Sequence, residues 1–150
     1  MENVFTKSGS NSFVERINQL TPSTPHQWGT MSVDQMLAHL NVSYDMVFTN
    51  KYPKPSGIAK WMLKLFVKKK VVGPKPYPKN GRTAPQFVIK EEKSFQDEKQ
   101  KLVDFIQKVQ ELGEIHFDGL VSHSFGPLTK NEWNNMFAKH LEHHLAQFGV

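Results

Sequence analysis

The sequence predicts an all-α fold: a single-domain four-helix bundle spanning residues 1–150, with a long Pro- and Lys-rich crossover between its second and third main helices. Three observations lead there. Four segments carry apolar residues at spacings of three and four, the period of a helix with one buried face. Ser or Thr stands in capping position ahead of three of them. Between the second and third segments, Pro53, Pro55, Pro74, Pro76, Pro78 and Pro85 interleave with Gly57, Gly73 and Gly81, which marks a long excursion from the helical framework.

The first helix is expected over Asn11–Leu20, where Phe13, Ile17 and Leu20 recur and Asn11 or Ser12 is available as N-cap. Pro22 and Pro25 end it, and Trp28, in the following turn, is expected to plug one end of the core. Ser32 with Gln35 forms a capping box opening a second helix that runs to Phe48, with Val33, Met36, Leu37, Leu40, Tyr44 and Val47 as its apolar stripe. His39 lies at one flank of that stripe, beside Met36 and Ser43. Within the crossover, Ile58–Val72 reads as one helix with Lys60, Lys64 and Lys68 along one side. Ser94 opens a third long helix, through Phe95, Leu102, Phe105, Ile106, Val109 and Leu112, that closes on Gly113 at a C′ position. A connection with a short extended piece leads to Thr129, whose capping box with Glu132 opens the final helix.

The final helix carries the chemistry. Three of the seven histidines fall within His140-Leu141-Glu142-His143-His144. Residues four apart on a helix are separated by about 40° in projection, so His140 and His144 stand one above the other. Both project into the half of the helix that holds Trp133, Phe137, Leu141, Leu145 and Phe148, while Asn135, Lys139, Glu142 and Ala146 fall on the other side. Two inward imidazoles at this spacing suit one metal ion, which satisfies both nitrogens together where packing alone must find each a partner. His143 lands at the rim near Met136. Glu142 lies about 160° from His144, so the zinc-protease pattern of paired ligands with an adjacent glutamate is absent. His39, on a neighbouring helix, is where a third ligand enters if one exists; alone it reads as a boundary histidine.

The 150 residues, 38% hydrophobic, suffice for one ordinary core. With no cysteine in the chain, disulfides, thiolate nucleophiles and Cys-rich zinc sites are excluded. A polar N-terminus and the lack of a long apolar run lead us to expect a cytoplasmic protein without stable membrane insertion. The net charge of +5 is unevenly placed: Met46–Lys90 holds ten lysines and Arg82 with no acid, giving +11, and the remainder carries eight basic and fourteen acidic residues, giving −6. The first reading of this basic stretch is a helix packed across the bundle with a solvated lysine edge. A membrane-surface helix is the second. Nucleic acid is not an expected partner, because the stretch matches no reading motif.

Gln35-Met36-Leu37-Ala38-His39-Leu40, together with His140 and His144 spaced as HxxxH and followed by Gln147-Phe148-Gly149, resembles the DinB/YfiT-like superfamily of metal-dependent enzymes over most of the chain. Trp28-Gly29-Thr30-Met31-Ser32, His123–Thr129 and Lys139–Gly149 resemble a branch of it known as a domain of unknown function. Leu145-Ala146-Gln147 stands where the commoner ending reads Arg-Gly-Gln. The resemblance implies a bundle in which His39, His140 and His144 bind one divalent transition metal, nickel, zinc or iron. It also implies hydrolase or thiol-transferase-like chemistry on a small-molecule substrate, a thiol among the candidates. The mechanism expected is a nucleophile activated on the ion, with His143 or His123 as proton shuttle. Bundles of this kind often pair, so a homodimer is among the expected states. The competing expectation is a noncatalytic binding module whose basic crossover docks an anionic membrane or polymer, with the histidines structural.

Overall fold

The computed structural model describes residues 1–150 and is mostly helical. Its elements run α1 (Lys7–Gln19), α2 (Val33–Phe48), α3 (Gly57–Met62), a π-helical turn (Leu63–Val67), α4 (Lys68–Val72), a 3-10 turn (Pro85–Phe87), α5 (Phe95–Phe117), β1 (Val121–Ser122), β2 (Gly126–Pro127) and α6 (Lys130–Gln147). The long helices α1, α2, α5 and α6 enclose one core, and α2 packs most extensively on α5.

The capping residues act largely as the sequence implies. Gln35 Oε1 accepts the Ser32 N–H at 3.2 Å, and the Thr129–Glu132 box closes reciprocally, with Thr129 Oγ1 accepting from Glu132 N at 3.3 Å and Glu132 Oε2 from Thr129 N at 3.0 Å. The first helix differs from expectation. It begins at Lys7, capped by Thr6 Oγ1, which accepts the Gly9 N–H at 3.1 Å, rather than at Asn11 or Ser12. The chain turns back at Asn3, whose carbonyl presses against Gly9 so closely that a Cβ there has no room, and this turn supplies the extra helical residues with a start.

Gly113 breaks the third long helix as expected, at φ 71°, but one more helical turn follows and buries Phe117. Ile115-His116-Phe117 is therefore helical, and the extended piece lies later, in the two-residue ladder pairing Val121 with Pro127 and Ser122 with Gly126. The core centres on aromatic rings. Tyr44 stacks between Phe105 at 5.4 Å and Phe137 at 4.9 Å, and Phe137 packs in turn on Trp133 and edge-on against Phe117. Buried Asp45 of α2 takes an ion pair from Lys101 of α5 at 2.8 Å, and Asn41 Nδ2 donates to the Glu98 carbonyl at 2.9 Å.

The crossover helix forms over Gly57–Val72 with the π turn in its middle, and Leu63, Val67 and Val71 pack on the core. It is seated on α6. Asn135 Nδ2 donates to the Val72 carbonyl at 3.0 Å, and Lys139 Nζ donates to the carbonyls of Lys70 and Gly73, both at 2.6 Å. Lys139, expected on the solvent side, is thus buried at 2% exposure, because the crossover covers that face of α6. Its cation finds two carbonyls at the end of α4 and the Tyr77 ring at 4.6 Å, while burial pulls the ammonium down to about 8. Trp28 does not plug the core; it is half-buried at the surface, and Trp133 fills the interior instead.

Two substitutions check this packing. Phe137→Ala removes a fully buried ring touching three other aromatics and is expected to cost about 3–5 kcal/mol in urea denaturation. Ile115→Ala, at 88% exposure, is expected to stay within about 0.5 kcal/mol of the parent.

Candidate metal centre

His39 occupies the middle of α2, and His140 and His144 sit one turn apart in the second half of α6. Packing of α2 against α6 joins what the sequence separates: the His39 ring centroid lies 4.9 Å from that of His140 and 4.5 Å from that of His144, and the last two are 4.9 Å apart. One nitrogen from each ring falls within 4.8 Å of the other two. His39, expected at a flank, is buried at 5% exposure, because the Pro85–Phe87 turn closes over it.

The hydrogen bonds fix the imidazole tautomers. His39 Nδ1 lies 2.8 Å from the Phe87 carbonyl, which only accepts, so Nδ1 carries the proton and Nε2 presents a lone pair. His140 Nε2 lies 2.9 Å from His39 Nε2 and must donate to it, which leaves His140 Nδ1 to accept from Ser43 Oγ at 2.9 Å. On His144, Nδ1 donates to Gln147 Oε1 at 2.8 Å. The orientation of that amide is settled by its other end, since Gln147 Nε2 donates to the Trp28 carbonyl at 2.7 Å. Gly29 makes this contact feasible: it holds φ +85°, and a Cβ there falls 2.6 Å from Gln147 Nε2.

Electrostatics keep the cluster neutral. Burial pushes His144 down to about 3, with His39 adding to the effect. His140 is held well below 6.5 by burial and then by its three imidazole neighbours, and His39 is lowered by burial against the opposing pull of its bond to Phe87. Neutral imidazoles with an oxygen on Nδ1 are the donor set that divalent transition ions take. The residues present fit such an ion with two adjustments, the first being that the His140 proton moves from Nε2 to Nδ1, where Ser43 Oγ accepts it. Tetrahedral nitrogen ligands at roughly 2.0–2.1 Å from zinc stand about 3.3 Å apart, so the 2.9 Å between His39 and His140 must open by a few tenths of an ångström.

A cavity of about 370 Å³ opens beside the cluster, with His144, Gln147, Phe87, Trp28 and His143 in its wall. His143 is half-buried between Trp28 at 5.8 Å and Tyr77 at 5.7 Å, and burial lowers its pKa as well. His123 lies elsewhere, on the β1–β2 turn, with Nδ1 2.9 Å from Ser124 Oγ and Nε2 3.3 Å from the Tyr52 carbonyl; it does not line the cavity. Glu142 points away from the cluster, as expected, and pairs with Arg16 of α1 at 2.9 Å. The residues that orient the imidazoles were not assigned from sequence. Ser43 is signalled by its position one turn beyond His39, and Gln147 by its i, i+3 relation to His144. Nothing local marks the carbonyl of Phe87.

Fold and site together define a mostly helical protein built around a buried cluster of three histidines able to hold a metal ion. The chain belongs to the family described as a protein of unknown function (DUF1569), which matches residues 5–149. No curated protein and no solved structure matches it.

The lowered imidazole pKa values carry a sign. Unfolded histidines protonate near 6.5, whereas the folded ones resist protonation. Below that pH the unfolded state binds more protons, and folding stability is lost as pH falls. Chelator-treated protein is therefore expected to lose up to about 1.4 kcal/mol per pH unit for each of the three histidines below pH 6.5. A urea midpoint that stays level from about pH 7 to 5 contradicts the arrangement.

Proposed function

We propose that this protein is a divalent-metal-dependent enzyme of the DinB/YfiT-like four-helix-bundle type, acting on a small molecule by hydrolysis or thiol transfer. The observation that carries the reading is the convergence of three neutral imidazole groups, each with its Nδ1 held by an oxygen, beside a 370 Å³ cavity that His144 reaches. His39, His140 and His144 hold the ion, and nickel, zinc or iron suits an all-imidazole set. An ion so held keeps its full double charge and supplies Lewis acidity to a substrate oxygen or sulfur.

The chain's own groups account for the rest. Gln147 fixes His144 and ties it to the Trp28 wall, so substrate contact with Trp28 and ligand orientation are linked. Lys79 Nζ stands 4.2 Å over the Trp28 ring, placing a cation near the cavity. No carboxylate lines the cavity, and the titratable side chains in its wall are His143 and His144. With His144 committed to the ion, His143 is the group that accepts a proton from the substrate or attacking nucleophile, and its lowered pKa leaves it neutral and ready at pH 7.

Elemental analysis of protein purified without a histidine tag is expected to find about one transition metal per chain. His144→Ala abolishes binding, while His143→Ala keeps the ion and lowers turnover by roughly 100-fold or more on whichever ester, amide or thiol-transfer substrate the parent accepts. Parent protein that stays metal-free and gives no calorimetric signal with added zinc or nickel overturns the reading.

A further inference from the structure

The crossover helix turns apolar side chains to solvent. Ile58, Trp61, Met62, Leu65 and Phe66 are all exposed, at 81%, 59%, 45%, 53% and 63%. The helix is not loosely held, because its other side packs through Leu63, Val67 and Val71 and its end is pinned by Lys139 and Asn135. An exposed contiguous patch of this kind, on a well-seated helix, marks an interaction surface.

We propose that this face docks the protein on an anionic lipid surface, with Trp61, Leu65 and Phe66 entering the headgroup region and the surrounding lysines meeting the phosphates. Charge identifies the occupant. Exposed Lys69 and Lys70 follow the apolar residues on the next turn, and no acidic residue occurs between Asp45 and Glu91. Beside the patch, Lys64, Lys68 and Lys69 with Val72, Gly73 and Glu132 line a shallow cavity of about 360 Å³, suited to a phosphate headgroup; Lys68 is paired there with Glu132 at 2.9 Å. A large apolar face edged by lysine, with Trp and Phe in it, is the composition of a helix lying in the membrane interface. No helix is long and apolar enough to cross a membrane, so the contact is lateral.

Other occupants fit less well. A second copy packed on this face brings Lys69 and Lys70 into an interface whose crossover residues offer no acid to pair them, with Glu132 already committed to Lys68. Nucleic acid offers phosphates to the lysines but leaves Ile58, Met62 and Leu65 in water.

Co-sedimentation of the full chain with phosphatidylcholine vesicles, with and without phosphatidylglycerol, tests this. Binding to the anionic vesicles is expected to exceed binding to neutral ones by more than about tenfold at low salt and to fall steeply as salt is added. The double substitution Trp61→Ser with Phe66→Ser lowers it by more than about tenfold without moving the urea midpoint. Replacing Lys69 and Lys70 by Ala lowers it by roughly fivefold per lysine. The proposal is overturned by no binding to anionic vesicles, by binding indifferent to the Trp61/Phe66 pair, by a dimer that the same pair dissociates in place of lipid binding, or by tighter binding to DNA than to vesicles at equal salt.

Discussion

The hydrogen bond from His39 Nδ1 to the carbonyl of Phe87 joins the two least alike parts of this chain, an interior position of a long helix and the far end of a proline-rich crossover. It exists because of how a 3-10 turn uses its carbonyls. In the Pro85–Phe87 turn, Ala84 O accepts the Phe87 N–H and Pro85 O accepts the Val88 N–H, while Phe87 O is left over to accept the imidazole proton. Pro85, at the first helical position, sets the turn. Without that acceptor, a histidine at 5% exposure is left with an unpaired donor, and its lone pair is no longer directed at His140. The path of the crossover and the chemistry of the cluster are thus one constraint.

Lys139 secures the other end of the same segment. A lysine so enclosed is costly unless its cation is bonded, and here two backbone carbonyls and an aromatic face surround it. Those carbonyls belong to the last turn of α4 and its cap, which have no partners within the helix. One buried cation therefore satisfies the end of the crossover helix and holds Tyr77 against His140 and His143, at 6.3 and 5.7 Å.

What the sequence disclosed follows from the range of each interaction. Capping at Ser32 and Thr129, the buried stripe of Trp133, Phe137, Leu141, Leu145 and Phe148, and the left-handed break at Gly113 are settled by residues three or four apart, and all are found. The pairing of His140 with His144 is local in the same sense, whereas His39 joined them through family resemblance, since its own helix shows only an edge position. Side-chain periodicity starts α1 too late because the turn at Asn3 packs on Gly9 through backbone, which periodicity does not register. Helical projection puts Lys139 in solvent because it describes one helix, and the segment that buries it belongs to another part of the chain. For Ile58–Val72 a stripe pattern reveals that a helix has two sides, not which side its neighbours cover, so it leaves a packed helix and a membrane-surface helix both open.

The bond between His39 Nε2 and His140 Nε2 places a proton between two of the nitrogens that could hold an ion. For His140 to offer that nitrogen, its proton must move to Nδ1, and Ser43 must rotate from donor to acceptor. The exchange releases no net proton, so above neutral pH the affinity for an ion is insensitive to acidity. The neutral cluster is thus closed on itself, and an ion held by all three rings would have to displace the hydrogen bond between His39 and His140.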